Sequence, residues 1–202
     1  MKQLHRISGI VIIIFVGLHL SNHAVSVMGG SAHLAVMNAL RTVYRNPVVE
    51  SILLFAVLVQ IISGLKILRV KTPGATWFEK LQSLSGIYLA MFFLFHIGAV
   101  FAGRFILDLD TNFYFGVAGL NTFPFNLFFG PYYGLAILAF FGHLASIHNK
   151  KMKRNLLGLK PKIQSVAILV LGFVAIVVIF YGLTNQFQGV IIPREYEVLI
   201  GN

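Results

Sequence analysis

Long apolar runs alternate with short polar segments along this chain. Runs at 7–28, 48–68, 84–102, 127–147 and 163–183 carry almost no charge. Each is close to the roughly 20 residues a helix needs to cross the hydrocarbon core of a bilayer. Lipid offers no hydrogen-bond partner to a bare backbone, so such runs predict helices. The expected fold is all-α, one transmembrane domain over residues 1–202 built as a five-helix bundle. Gly130 and Pro131 interrupt the fourth run, and proline suits a first helical turn, which puts the start of that span near Pro131. Between the first two spans, HLAVMNALRTVY reads as a short helix within 29–47. Segment 104–125, rich in Phe, Gly and Asn, reads as an interfacial loop.

One internal repeat stands out. LHRISGIVIIIFVGLH in the first span matches LQSLSGIYLAMFFLFH in the third without a gap. Ser8 and Gly9 align with Ser85 and Gly86, Phe15 with Phe92, and His19 with His96. Apolar runs match easily, but a Ser-Gly pair and a histidine at the same spacing are less easily matched.

Composition agrees with the pattern. The chain has 202 residues, 57% hydrophobic and 11% charged, with a mean hydropathy of +0.84. That is too little charge to cover a water-soluble domain of this size. The first run lacks a small-residue cleavage pattern and four similar runs follow, so it reads as a span and not as a signal peptide. There is no cysteine, hence no disulfide framework and no thiolate site for a metal or cluster. The formal charge of +10 raises the question of nucleic acid. The cations sit in short loops beside the spans, however, which argues against nucleic-acid binding. In a five-span arrangement the Lys and Arg residues of 2–6, 66–80 and 150–162 share one side. Arg41, Arg45, Arg104 and Arg194 lie on the other. The positive-inside rule then puts the amino terminus in the cytoplasm and the carboxyl tail outside, with the chain in the cell's inner (cytoplasmic) membrane.

The candidate chemistry is histidine. His5, His23, His33 and His148 fall near span ends or in loops, where the interface solvates them, and read as ordinary interfacial residues. His19, His96 and His143 lie deeper, where an ionisable group is costly and marks a functional candidate. Their structural alternative is a neutral imidazole bonded to a neighbouring helix. His19 and His96 each lie about 18 Å from the inner end of their spans at 1.5 Å per residue. Two facing histidines at one depth can supply both axial nitrogens of a b-type haem. Gly17 and Gly98 beside them would admit a flat macrocycle, or serve helix packing. Zinc, drawing on His19, His23 and His96, ranks below haem because nothing completes a four-ligand set. No nucleotide loop, nucleophile elbow or paired carboxylate is present, so the chain is not expected to be an enzyme by itself.

LHRISG, LHLSNH, NPVVE and LQSLSGIYLAMFFLFH resemble the five-helix, di-haem cytochrome b membrane anchor of succinate:quinone oxidoreductases and fumarate reductases, over roughly residues 4–153. In that family four histidines, one on each of the first four helices, hold two stacked haems. The resemblance implies that His19 and His96 ligate the iron of the outer haem. It matches His143 to the fourth-helix ligand of the inner one, with His148 the weaker match. The second-helix ligand of the family falls on Gln60, which departs from the pattern and implies an empty inner site, with Gln60 free to bond His143. The implied function is a membrane anchor and electron-transfer subunit with one haem b and quinone as substrate. The implied partners are flavoprotein and iron–sulfur subunits docked on the basic inner loops on the cytoplasmic side. By position His23, Arg41 and Arg45 are outer quinone candidates; Ser8, Ser85 and Arg6 are weaker inner ones. A haem-free structural subunit of a larger complex, and a proton or ion pathway through His19, His96, Gln60 and His143, remain open alternatives.

Overall fold

The computed structural model describes residues 1–68 and 75–201. The described residues are helical and contain five helices long and apolar enough to cross a membrane, so the chain is an all-α, multi-pass membrane bundle. The spans are α1 (Lys2–Val25), α3 (Pro47–Leu68), α4 (Trp77–Phe105), α6 (Asn126–Lys151) and α7 (Pro161–Leu183). A further helix, α2 (Gly30–Tyr44), lies between the first two, and a short α5 (Phe113–Val117) between α4 and α6.

Most spans run past the apolar runs that announced them, because capping, not hydropathy, ends a helix. α4 begins seven residues before its apolar run, at a capping box in which Thr76 and Glu79 satisfy each other's backbone N–H groups. At 29 residues it is about 43 Å long, more than the hydrocarbon core requires. α7 opens on Pro161, whose missing N–H costs nothing in a first turn. α6 does not start at Pro131. It begins at Asn126 and carries that proline inside, little more than a turn in, where few intrahelical bonds are at stake. Arg69 and Lys71, two cations of the basic inner loop, lie outside the described residues.

The spans are arranged as two pairs. α1 packs along α3, and α4 packs along α6; α7 then lies against both α6 and α1. α1 and α4 share no extensive packing. Outward faces such as Ile14, Phe55, Leu94, Phe95 and Phe173 are exposed, as lipid-facing residues are. α7 approaches the end of α1 closely at Gly182, where a Cβ would fall 2.5 Å from the Val27 backbone nitrogen.

A buried apolar cluster sits at the end of the bundle opposite the start of α1, the end called outer from here on. Phe113, Val117 and Leu120 pack there with Ile137 of α6 and Ile179 and Leu183 of α7. Segment 104–125 is therefore not an interfacial loop. Phe113, Val117, Ala118 and Leu120 are buried, because α5 and the 3-10 turn after it turn their apolar side chains down into the bundle. Arg41 closes this cap by pairing with Asp110 at 2.9 Å and with the Thr111 carbonyl at 2.8 Å. A final 3-10 helix, Arg194–Ile200, buries Tyr196, whose hydroxyl donates to the Asp110 carbonyl.

Candidate functional site

Two polar layers cross the bundle, and the repeat built both. In the inner layer Ser8 and Ser85 occupy matching places and hydrogen-bond the carbonyls four residues back, Leu4 and Leu81. The glycine beside each lets a polar side chain of the paired helix lie close. A Cβ at Gly9 would sit 3.5 Å from the Gln60 amide; one at Gly86 would sit 3.4 Å from the His143 ring. Gln60 on α3 and His143 on α6 are thus structural counterparts. Around them Ala56 and Ser63 match Ala139 and Ser146, all buried at the same spacing.

Gln60 does not reach His143. Its Oε1 accepts from Ser8 Oγ at 2.7 Å, and its Nε2 lies 3.1 Å from His5 Nε2. His5 also bonds Ser63 through Nδ1 at 2.9 Å and lies against Gly64. His143 turns its Nδ1 towards the Gln82 carbonyl and Ser85 Oγ, each at 3.2 Å. The expected Gln60–His143 bond is replaced by one bond set inside each helix pair. The reason is local: each polar group finds a serine or a carbonyl on its own partner helix and has no need to cross the bundle. His148 bonds the buried Ser165 of α7.

The outer layer brings α1 and α4 together through side chains. His19 and His96 face each other with ring centroids 6.1 Å apart. Each ring stacks on the phenylalanine one turn before it, Phe15 under His19 and Phe92 under His96. The repeat has therefore reproduced one Phe-His unit on two helices. Every other histidine makes at least one hydrogen bond within the chain; His96 makes none among the described residues. Gly17 and Gly98, each two residues from its histidine and so on about the other side of its helix, are exposed, and a Cβ added to either would meet nothing within 4 Å. These glycines face open space and do not serve helix packing.

His19 is also the inner end of a chain of polar contacts. Its Nε2 lies 3.2 Å from His23 Nε2, and His23 Nδ1 lies 3.3 Å from His33 Nε2. Asn22 Nδ2 meets the same His33 nitrogen at 3.2 Å. His33 is only 2% exposed and rests against Phe113, so it is not an interfacial residue. α2 folds back over α1, and that burial carries His33 inside. Burial, reinforced by the charge of Arg41, pushes the His33 imidazole down to about 4, so it is neutral near neutral pH. No three His, Asp or Glu side chains are grouped to hold a metal ion among the described residues, and the zinc arrangement of His19, His23 and His96 is not formed.

Arg41 and Arg45 are engaged elsewhere. Arg45 donates to Thr111 Oγ1 at 3.0 Å beside the Arg41–Asp110 pair. Burial pushes the Asp110 carboxyl up, but the two arginines outweigh it and hold it below the usual carboxylate value. Arg104 of α4 pairs with Glu50 of α3 and ties the outer ends of the two helix pairs together. Reading the sequence missed Asn22, His33 and His5. The signals available were an amide beside the His19/His23 turn, a histidine heading the helix of the outer cap, and a histidine one turn before the Ser-Gly pair.

Compared with models of protein families, with characterised proteins and with solved structures, the chain matches none.

Proposed function

We propose that the chain is the membrane anchor and electron-transfer subunit of a respiratory complex resembling succinate:quinone oxidoreductase and fumarate reductase, holding one haem b between His19 and His96. The observation that carries this reading is His96. An imidazole without a hydrogen-bond partner in hydrocarbon is costly, and this one meets a second imidazole edge-on, on a helix with which its own shares no extensive packing. The residues fit the group. His19 and His96, with ring centroids 6.1 Å apart, would hold the iron through one ring nitrogen each.

When bound, the haem supplies a one-electron centre. The residues of the chain prepare its place. Phe15 and Phe92 stack on the two rings, at interplanar angles of 17° and 12°. The apolar walls of α1 and α4 exclude water, and the cap formed by α2, α5 and the carboxyl-terminal helix closes the outer end. The inner layer holds no second haem in this reading, since Gln60 is committed to Ser8 and His5.

Quinone is the proposed substrate, taken near the outer end beside His23, which touches His19. Arg41 and Arg45 serve that end by fixing the cap through Asp110 and Thr111. The amino terminus and the basic loops face the cytoplasm, and the carboxyl tail lies outside, in the cell's inner membrane. The loops then offer a docking face to flavoprotein and iron–sulfur subunits, which the cysteine-free chain requires for any cluster.

The test is the absorption spectrum of the protein purified in mild detergent together with mass spectrometry of whatever accompanies it. A b-type Soret and alpha band with soluble redox subunits is the expected result. A colourless, solitary chain overturns the reading.

A further inference from the structure

We propose that the turn joining α6 to α7 is a membrane-surface anchor, in which Leu156, Leu157 and Leu159 enter the headgroup layer of the bilayer and the cations around them hold anionic phospholipid. Residues 152–160 link the two spans at the inner end. They form a hairpin in which Leu156 and Leu159 exchange both backbone hydrogen bonds, at 3.2 and 2.9 Å. Leu157 and Gly158 make its turn, both at positive φ, 51° and 76°. A two-residue turn of that kind favours asparagine followed by glycine, and a bulky side chain at positive φ is an outlier. Here the side chain is leucine and it is 92% exposed, with Leu156 at 59% and Leu159 at 43%. Packing within the chain gives no reason for an apolar residue there.

A buried glutamine fixes the hairpin in place. Gln164, near the start of α7, donates through Nε2 to the Leu159 carbonyl at 2.7 Å and to the Arg154 carbonyl at 3.2 Å. Both strands of the hairpin are thus tied to the first turns of α7. α7 has 23 residues and α6 has 26, so they are about 34 and 39 Å long. The hydrocarbon core takes up about 30 Å and each headgroup layer about 5–7 Å more. The helix ends therefore reach into the headgroup layer, and a hairpin tied to them stays at that depth.

Charge selects the lipid. Lys150, Lys151, Lys153, Arg154, Lys160 and Lys162 flank the leucines, all are exposed, and residues 150–162 contain no Asp or Glu. Lys150 lies 3.8 Å from Glu79; the others form no ion pair among the described residues. The positive-inside rule accounts for such cations by topology alone, but it does not account for the leucines at their centre. Basic residues immediately outside a span draw anionic headgroups, and an apolar tip among them gains by leaving water for the bilayer interface. The inference depends on the five spans, and on neither the haem nor the soluble subunits proposed above.

The chain has no cysteine, so Leu157→Cys gives the full chain a single site for a spin label. The labelled chain is reconstituted in bilayers of phosphatidylcholine alone, or of phosphatidylcholine and phosphatidylglycerol in equal parts. The readout is the label's collision with oxygen, which concentrates in lipid, against its collision with a water-soluble nickel chelate. In the mixed bilayers the label should be shielded from the chelate and open to oxygen, and in phosphatidylcholine alone it should lie shallower. Lys151→Gln, Lys153→Gln and Arg154→Gln together should remove that difference. Leu157→Asn suits the turn, so it should fold at least as well as wild type, while a label on Leu156→Cys in that background loses its shielding. A label freely reached by the chelate in both bilayers overturns the proposal. So does equal shielding in both bilayers that survives loss of the cations. A label shielded only when a soluble protein is bound also overturns it and makes the hairpin a protein-docking surface.

Discussion

Replacing Gln60 by leucine removes two contacts that hold α1 to α3, and the structure tells them apart. Ser8 loses Gln60 Oε1 but still has the Leu4 carbonyl at 2.9 Å, so its loss is small. His5 loses the partner of its Nε2 and keeps only Ser63 on Nδ1. Side-chain hydrogen bonds between membrane helices average about 0.6 kcal/mol and reach about 1.7. A buried group left unpaired costs about 1–3 kcal/mol. Gln60→Leu should therefore destabilise the chain by about 1–2 kcal/mol. His5→Leu in the same background removes the stranded nitrogen and should recover part of that, giving a coupling energy of about 1 kcal/mol. The assay is a double-mutant cycle on reversible unfolding in mixed micelles. A cycle additive to within about 0.3 kcal/mol would refute the claim that Gln60 works within the α1–α3 pair.

Other outcomes follow from the same geometry. Gly182→Ala pushes a Cβ into the backbone at Ser26 and Val27 and should cost at least about 1–3 kcal/mol, seen as a lower Tm. Gly98→Ala meets nothing, so it should not lower Tm. His33 is held down to about 4 by burial and then by Arg41, with His23 as its neighbour from α1. Its contribution to stability is therefore complete above its unfolded value near 6.5 and drains as pH falls from there towards 4. The loss is at most roughly 3 kcal/mol, and His33→Gln should flatten that part of a Tm-against-pH curve. Reporters fused within 150–160 and at Asn202 should read opposite sides of the membrane; the same side for both would overturn the proposed orientation.

Much of this architecture was legible in the sequence. The five spans follow from apolar length alone, since lipid leaves a backbone no alternative to a helix. The repeat foretold that His19 and His96 would match in depth and setting, and the two Phe-His stacks are its structural expression. What the sequence hid is lateral. Hydropathy does not say which helix lies beside which, so the pairing of α1 with α3 and α4 with α6 was invisible, and with it the partner of Gln60. His33 looked interfacial because it falls in the segment between two spans; its burial comes from the fold of α2 over α1. Segment 104–125 looked like a surface loop because its Phe and Gly content is also that of an interface. Its apolar side chains are instead buried in a core cluster with α6 and α7.

The central claim is a haem held by His19 and His96, and haem-to-protein stoichiometry measures it most directly. The purified wild-type chain should carry one haem b. His96→Ala should lose it. His143→Ala should keep it, because His143 is satisfied by Gln82 and Ser85 within its own helix pair. Two haems in the wild type, full retention in His96→Ala, or no haem under any condition would each contradict the account.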